Sequence, residues 1–309
     1  METKVSSPIR NAGSSSPRSD EPIPDVPERP DEIRAALERL GVRPSRALGQ
    51  SFLCDPFVAD AEAALVEAPP GRPVVEIGGG LGVLTAALLR RGVRPLTVVE
   101  RDARLARHLR TTFGSRVTVV EGDALEVDLP PADAVAGNLP FSTGTAILRR
   151  LIEARVPRIV FLLQREVAER AAAGPGSKAY GRLSIFAQLY GTVELFRTVP
   201  ADAFTPRPEV EGRIGTHRAR LEALPVPSIP AFERTVRALF SARRKQLGNL
   251  LPRAVGGTEE ARRVAERAGW PDQWARLRPE DLGPEAYFAL ARAIDEVRQP
   301  SGGPPPSDR

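Results

Sequence analysis

The sequence predicts a doubly wound α/β fold with a mostly parallel sheet, followed by a smaller, all-helical C-terminal domain. Three observations predict it. Short apolar runs alternate with segments of helical periodicity over residues 73–163, which is typical of a parallel sheet covered by helices on both faces. A glycine-rich loop directly follows the first apolar run. Beyond residue 231 the pattern is wholly helical.

The elements of the sheet domain follow one another in a regular order. Strands are predicted over residues 73–77, 96–100, 117–120, 134–136 and 158–163, and helices over residues 83–91 and 103–113. Valine and isoleucine dominate the strand segments, and these β-branched residues favour buried strands. A last strand is predicted near residues 211–216, after a proline-rich segment.

The C-terminal part predicts helices over residues 231–251, 259–268 and 284–297, joined by turns rich in glycine and proline. We therefore divide the chain into a catalytic domain at residues 44–220 and a helical domain at residues 221–299. Residues 1–43 and 300–309 are expected to be mostly disordered, because segments rich in Ser, Pro and charge bury too little apolar surface to offset the entropy of ordering.

Composition limits the possible partners. The net charge of +5 and the pI near 9.9 favour a polyanionic partner such as nucleic acid. The single cysteine, Cys54, cannot form an intrachain disulfide, and with only His108 and His217 available we expect no metal site. No apolar run approaches the ~18 residues of a membrane span, and the first residues lack a signal-peptide pattern. We expect a soluble, cytoplasmic protein.

A glycine-rich loop and two later acids predict a nucleoside-type ligand. The loop has the pattern Glu76-x-Gly78-x-Gly80-x-Gly82, which lets a ligand approach the backbone and the following helix N-terminus. Glu100 ends the second strand, where an acid can accept both hydroxyls of a ribose. Asp123 follows the third strand and can accept from an adenine amino group. S-adenosylmethionine fits this pattern as well as a nucleotide does.

The end of the fourth strand carries the motif Asn138-Leu139-Pro140-Phe141. This is the edge of the sheet at which doubly wound folds bind their ligands. The Asn138 amide oxygen and a neighbouring backbone carbonyl can accept both protons of the exocyclic amine of a base, while Phe141 stacks on the ring. Accepting both protons frees the nitrogen lone pair for a methyl group without a strong general base. The motif predicts a nucleic-acid adenine methyltransferase.

Several further segments resemble the small-subunit ribosomal RNA adenine N6,N6-dimethyltransferases. They are LGQSFL at residues 48–53, PGSKAYGRLS at 175–184, FTPRPEV at 204–210, FSARRK at 240–245 and RPEDL at 278–282. The resemblance runs from about residue 44 to residue 294. It implies a class I, Rossmann-like methyltransferase that transfers methyl groups from S-adenosylmethionine to two adjacent adenosines in a hairpin loop near the 3′ end of 16S rRNA. It also implies a role in small-subunit biogenesis, with the small-subunit precursor as partner and a monomeric enzyme.

Mapped onto this chain, the motifs and the resemblance imply two sets of site residues. The cofactor-binding set is Gln50, Ser51, Leu53, Glu76, Gly78, Gly80, Glu100, Asp123, Ala124 and Asn138. The catalytic set, which meets the target base, is Asn138, Leu139, Pro140 and Phe141. The chain departs from the family where Ser51 replaces Asn, where Phe141 replaces Tyr and at residues 211–213. We expect Ser51 to reach the cofactor only through water and Phe141 to contribute stacking alone.

Basic residues of the helical domain predict contacts with RNA. Arg243, Arg244 and Lys245 are consecutive and could track phosphates, although a solvated helix face is the simpler alternative. Arg149 and Arg150, which follow the catalytic motif, are further candidates.

Two other functions remain open from the residues. A 23S rRNA adenine N6-methyltransferase that confers macrolide resistance would share the sheet and the Asn-x-Pro-aromatic motif. A non-catalytic ribosome-assembly or transcription factor could keep the same fold, and the replacements at Ser51 and Phe141 are compatible with it. An NAD-dependent oxidoreductase is less well supported, because no catalytic Tyr/Lys or Cys/His pair accompanies the glycine loop.

Overall fold

The computed structural model describes residues 22–45, 49–220, 229–270 and 272–298. None of the helices in these ranges is both long enough and apolar enough to cross a membrane. In the same ranges, no three His, Cys, Asp or Glu side chains are grouped as metal ligands would be.

A central sheet organises the first two thirds of the chain. Its strands in the described ranges are β2 Val74–Ile77, β3 Leu96–Glu100, β4 Thr118–Glu121, β5 Ala134–Asn138, β6 Arg158–Gln164, β7 Gly191–Val199 and β9 Gly212–Ala219. Two short strands, β1 Phe52–Leu53 and β8 Phe204–Thr205, form a separate antiparallel ribbon. The sheet order is β4-β3-β2-β5-β6-β9-β7, in which β9 alone runs antiparallel to its neighbours on both sides.

The strand order creates a crevice at one edge of the sheet. The chain passes outward from β2 to β3 and β4, and then returns so that β5 pairs with the other side of β2. The strand order therefore reverses between β2 and β5, and ligands of doubly wound folds bind at the carboxyl ends of the strands at such a reversal. The glycine loop follows β2, and the Asn138 motif ends β5.

Helices cover both faces of the sheet. Those of the sheet domain are α1 Pro30–Arg39, α2 Pro56–Ala64, α3 Val83–Arg90, α4 Ala103–Phe113, α5 Gly144–Glu153, α6 Arg165–Ala172 and α7 Arg182–Tyr190. The C-terminal helices are α8 Ile229–Phe240, α9 Leu247–Val255, α10 Thr258–Arg267 and α11 Pro284–Arg298. The predicted fold class is confirmed.

Each central strand is buried on both faces. Val75 and Ile77 of β2 pack in the core that includes α5, α7 and the C-terminal helices, whereas Val74 packs in the core that includes α2 and α3. Successive side chains of a strand point to opposite faces, so a strand covered on both sides needs a continuous apolar run. This is why the central strands could be predicted from the sequence.

The expectation of a mostly disordered tail up to residue 43 is wrong for residues 30–39, which form α1. Ile33, Ala36 and Leu37 lie on one face of this helix and are buried against Leu81 and Leu105. The spacing i, i+3, i+4 gives α1 a narrow apolar stripe, and the sheet domain supplies the surface that covers it. Residues 1–21 and 299–309 lie outside the described residues, and so does the chain at the proposed boundary, which stays a prediction.

The single helix predicted over residues 231–251 is two helices, α8 and α9, separated by a turn. Within the turn the Lys245 amide donates to the Ala242 carbonyl (2.8 Å), and Gln246 has an extended backbone. Arg243, in the same turn, is bound to carbonyls of the sheet domain. Contacts made at a distance along the chain thus override the local helical periodicity.

Candidate active site

One cavity opens at the carboxyl ends of the strands, and every predicted catalytic and cofactor-binding residue lines it. They are Gln50, Ser51, Leu53, Glu76, Gly78, Gly80, Glu100, Asp123, Ala124, Asn138, Leu139, Pro140 and Phe141. They come from the N-terminal segment, from the ends of β2, β3 and β5 and from the loop after β4. The fold therefore brings together residues that are spread over about ninety positions of the chain.

The glycine loop exposes its backbone to this cavity. Gly78 and Gly80 have φ angles of +77° and +56°, in the left-handed region that glycine adopts without steric cost. A Cβ atom at Gly80 would lie 3.3 Å from the Phe52 ring, so a side chain there would crowd the cavity wall. The loop ends at the N-terminus of α3, whose first amides have no partner earlier in that helix.

Glu100 is buried at the end of β3, and its carboxylate is fixed by two backbone amides. Oε2 accepts from the Gly80 amide and Oε1 from the Asp102 amide, both at 2.9 Å. Burial raises the pKa of Glu100, and these amides oppose that shift. A carboxylate has about four lone-pair positions, so acceptor capacity remains for a pair of ligand hydroxyls.

Asp123 lies across the cavity in the loop after β4. Its Oδ1 accepts from the Leu125 amide (2.9 Å), and its Oδ2 lies 3.3 Å from Nη1 of Arg101. Arg101 also lines the cavity and was not among the predicted site residues. Its position directly after Glu100, at the carboxyl end of a central strand, was the available signal.

Glu76 lies under the glycine loop with no exposed surface. Its Oε2 accepts from the Thr85 hydroxyl (2.6 Å), while its Oε1 has no hydrogen-bond partner among the described residues. Burial raises the pKa of Glu76 to about 8, and the negative charge of Glu100 contributes to that rise. A buried acceptor without a donor is costly, so a cationic N–H group in the cavity would complete this site.

The Asn138 motif forms a tight turn between β5 and α5. The Leu139 amide donates to the Leu162 carbonyl (3.1 Å), and the Leu139 side chain is buried. The Pro140 carbonyl accepts from the Thr143 and Gly144 amides at 3.1 and 2.6 Å, which starts α5. The turn is thereby held on both sides, by the sheet and by the helix.

The N-terminal motif packs directly on this turn. A Cβ atom at Gly49 would lie 2.7 Å from the Ser142 amide nitrogen and 3.1 Å from that of Phe141, so only glycine allows the approach. Gln50 uses its side-chain oxygen to accept from the Ser45 amide (2.9 Å). The Ser51 hydroxyl donates to the Pro206 carbonyl (3.0 Å) and thus joins the motif to the proline-rich segment.

The third departure from the family lies away from the cavity lining. Glu211 accepts from the Arg165 amide through its carbonyl (2.9 Å), and its carboxylate pairs with the Arg165 guanidinium (2.6 Å). This pair ties the start of α6 to the segment before β9. The replacement at residues 211–213 therefore leaves the composition of the cavity wall unchanged.

The structure divides the predicted RNA-binding triplet. Arg243 is half-buried, and its Nη1 donates to the carbonyls of Lys178 and Tyr180, both at 3.2 Å. Its Nε lies 3.5 Å from the Glu280 carboxylate. Arg244 and Lys245 are exposed. The guanidinium of Arg243 is thus engaged in bonds within the protein. The geometry favours Arg244 and Lys245 for contacts with RNA, and that role stays a prediction.

Arg149 and Arg150 are also engaged within the protein. Arg149 pairs with the carboxylates of Glu153 (3.0 Å) and Glu233, and its guanidinium lies over the Phe186 ring at 5.1 Å. Arg150 donates to backbone carbonyls of the loop after β4. The geometry does not support either residue as a phosphate contact.

Comparison with known proteins agrees with the geometry. The model of the family described as ribosomal RNA adenine dimethylase matches residues 43–269. The small-subunit methyltransferase A of Anaeromyxobacter dehalogenans is 42% identical over 278 residues, covering 84% of this chain and 97% of the relative. A probable small-subunit methyltransferase A from Natronomonas pharaonis is 40% identical over 271 residues, covering 85% and 97%.

Two solved structures share the architecture over most of the chain. A dimethyladenosine transferase from Plasmodium falciparum superposes with a TM-score of 0.69 at 21% identity, over 79% of this chain and 98% of that one. The 23S rRNA methyltransferase ErmE superposes with a TM-score of 0.62 at 26% identity, over 79% and 100%. The family model covers most of the chain, and relatives at about 40% identity align over nearly their whole length. The chain belongs to the ribosomal RNA adenine dimethylase family.

Proposed function

We propose that this enzyme, a ribosomal RNA adenine dimethyltransferase by family, methylates N6 of two adjacent adenosines in a hairpin loop near the 3′ end of 16S rRNA. The observation that carries the proposal is a single cavity in which the glycine loop and Glu100 adjoin the Asn138 turn. The small subunit is favoured because relatives that align over 97% of their length are named for it.

The cavity residues fit S-adenosylmethionine, which when bound supplies an electrophilic methyl group on a sulfonium. We infer that the fixed carboxylate of Glu100 accepts from the ribose hydroxyls and that Asp123 accepts from the adenine amine. The unpartnered Oε1 of Glu76 supports a role in accepting from the amino group of the methionine part. Ser51 and Leu53 form the wall on the N-terminal side.

The target amine would be held by two oxygen acceptors of the turn. One is the side-chain oxygen of Asn138. The Pro140 carbonyl already accepts two amides, which leaves the Leu139 carbonyl as the neighbouring acceptor. With both N–H bonds accepted, the amine lone pair turns toward the methyl group, and the proton released later leaves through the same oxygens. Rate acceleration then comes from alignment and fixed dipoles.

Methylation of purified subunits tests the proposal. The protein is incubated with labelled S-adenosylmethionine and small or large subunits that lack the modification, and the methylated adenosines are mapped by mass spectrometry. We expect two neighbouring dimethyladenosines in 16S rRNA, and far less modification with Asn138→Ala. Modification of 23S rRNA alone would overturn the proposal in favour of a large-subunit methyltransferase, the activity for which ErmE is named.

The same proposal makes the small-subunit precursor the partner and the cytoplasm the site of action, with the enzyme acting as a monomer. A non-catalytic assembly factor is the other alternative. It requires that subunit binding persist without cofactor binding, so titration of the wild-type protein with S-adenosylmethionine separates the two. Absence of cofactor binding alongside intact subunit binding would refute catalysis.

A further inference from the structure

Arg150 links α5 to the loop that follows β4. It is half-buried, and its two terminal nitrogens reach two carbonyls of that loop. Nη1 donates to the Ala124 carbonyl, and Nη2 donates to the Val127 carbonyl at 2.7 Å. One planar guanidinium thus binds the loop at two points, in a geometry that suits arginine and that a lysine ammonium cannot reproduce.

The loop is a compact turn that begins at the cavity. The Asp123 carbonyl accepts from the Glu126 and Val127 amides, both at 2.9 Å, and the Asp123 side chain accepts from the Leu125 amide. Asp123 and Ala124 line the cavity. Backbone bonds therefore shape the turn internally, and the two bonds from Arg150 attach it to α5, alongside the ion pair of Asp123 with Arg101 and the packing of Ala124 in the core.

The other end of this connection is the catalytic turn. The first residue of α5, Gly144, donates its amide to the Pro140 carbonyl (2.6 Å). Ile147 and Leu151 are buried and seat the helix on the sheet. A rigid helix thus begins in the turn that holds the target amine and, less than two turns later, carries the side chain that holds the Asp123 loop.

We propose that Arg150 is a positioning residue for the cofactor, which fixes the Asp123 loop relative to the catalytic turn. The inference rests on the proposed use of the cavity for S-adenosylmethionine. A loop ordered before binding loses less conformational entropy when the ligand arrives, so its attachment increases affinity. Arg150 touches neither the cofactor-binding atoms of Asp123 nor the target amine, and it acts through the backbone of residues 124 and 127.

Two substitutions and a matched control test this role. Arg150→Met keeps the aliphatic stem and removes both donors, while Arg150→Lys keeps the charge and at most one of the bonds. Arg110→Met is the control, because Arg110 also bonds to the β4 region, through the Val119 carbonyl (3.3 Å) and the Glu121 carboxylate (3.2 Å), and neither of these residues lines the cavity, whereas Ala124 does. Binding of S-adenosylmethionine is measured by calorimetry on the full chain without RNA.

We expect Arg150→Met to weaken cofactor binding by roughly ten- to a hundredfold, because the freed loop must then be ordered when the ligand binds. Arg150→Lys should recover part of this loss, and Arg110→Met should bind like the wild type. In methylation assays, Arg150→Met should raise KM for S-adenosylmethionine by a similar factor and change kcat far less. Amide hydrogen exchange should accelerate at residues 124–127 and stay unchanged in α3 and in the catalytic turn.

Other outcomes would overturn the inference. Wild-type affinity in Arg150→Met would do so, as would an equal loss in Arg110→Met or a fall in kcat at unchanged KM. If Arg150→Met does not fold, Arg150→Lys decides. Wild-type hydrogen exchange at residues 124–127 together with wild-type affinity for S-adenosylmethionine would then contradict the role. A wild-type protein that binds no S-adenosylmethionine would overturn the proposed function as well, and so the two failures are distinguishable.

Discussion

The ring of Phe141 stands edge-on against the ring of Phe204, with centroids 6.2 Å apart and an angle of 64° between the planes. Phe204 is buried in β8, which pairs with β1 in the wall of the cavity. Edge-to-face pairs of this kind add about 0.5–1.5 kcal/mol beyond the area that they bury. The aromatic side chain of the Asn138 turn is therefore oriented by packing and needs no hydroxyl hydrogen bond.

Removing the Phe141 ring should impair use of RNA more than use of the cofactor. Stacking of a base on an aromatic ring contributes about 1–3 kcal/mol, so Phe141→Ala should lower kcat/KM for the subunit by roughly 5- to 150-fold. Phe141→Tyr restores the ring and should lose far less. Steady-state kinetics with varied subunit concentration measures both, and equal losses in the two variants would contradict stacking as the role of Phe141.

Asn138→Ala should abolish most methyl transfer. The substitution removes the side-chain acceptor for the target amine, and loss of one fixed polar group in a catalytic site typically costs about 10²–10³ in rate. Single-turnover transfer from pre-bound S-adenosylmethionine reports this step directly. Calorimetry provides the check, because a loss explained wholly by weaker cofactor binding would argue against contact between Asn138 and the amine.

Glu100→Gln should weaken cofactor binding. The glutamine side chain keeps the shape but has no negative charge and only one acceptor oxygen. It cannot accept from both the Gly80 and the Asp102 amides and, as proposed, from the ribose hydroxyls. Hydrogen bonds to a charged group contribute about 1.5–3 kcal/mol, so the Kd should rise by at least tenfold. S-adenosylhomocysteine should show the same loss, since both ligands carry the ribose, and unequal losses would contradict the assignment.

Glu62 predicts an unusual dependence of stability on pH. This α2 carboxyl is fully buried, and burial together with the charge of Glu76 raises its pKa to about 8, although the Gly137 amide partly opposes the shift. The unfolded chain has a pKa near 4.5, so the folded state binds the extra proton between these values. The contribution of the protonated Glu62 to the free energy of unfolding is therefore fully present below about pH 4.5 and is lost as the pH rises through 8.

Glu62→Leu should remove this loss and raise the free energy of unfolding at pH 8 by up to about 5 kcal/mol. Glu76 titrates in the same window, so the dependence on pH should be reduced rather than abolished. Urea unfolding at pH 5 and pH 8 measures the change. The exposed Glu259→Gln variant is the control, and a Glu62→Leu protein with the wild-type difference between the two pH values would refute the prediction.

The basic residues of the turn between α8 and α9 should have two different roles. Alanine at both Arg244 and Lys245 should weaken RNA binding and lower the slope of log K against log salt by about 2, one for each lost phosphate contact. Arg243→Ala should instead lower the melting temperature, because it cuts the bonds to Lys178 and Tyr180. An unchanged salt slope in the double variant would reject these residues as phosphate contacts.

The central strands were predictable from the sequence, and the edge strand β7 was not. Residues of β2, β5 and β6 are apolar without interruption because both their faces are covered. In β7 the residues between its buried ends are largely exposed or half-buried, so its pattern resembles that of a loop. The stripe of α1 was overlooked for a related reason, since three apolar positions inside a charged segment carry little weight until a partner surface is known.

The sequence by itself determined the fold class and predicted residues that line one cavity, Arg101 excepted, because the motifs lie at strand ends. Each of these motifs lies at or just after the end of a strand that the local sequence predicts. They are the glycine loop, Glu100, Asp123 and the Asn138 turn. Only the tertiary structure decided how the remaining charges are used. Arg150 attaches a loop, Arg243 bonds to the carbonyls of Lys178 and Tyr180, and Glu62 is buried beside Glu76. A side chain's charge is visible in the sequence, but its partner is set by packing between segments far apart in the chain.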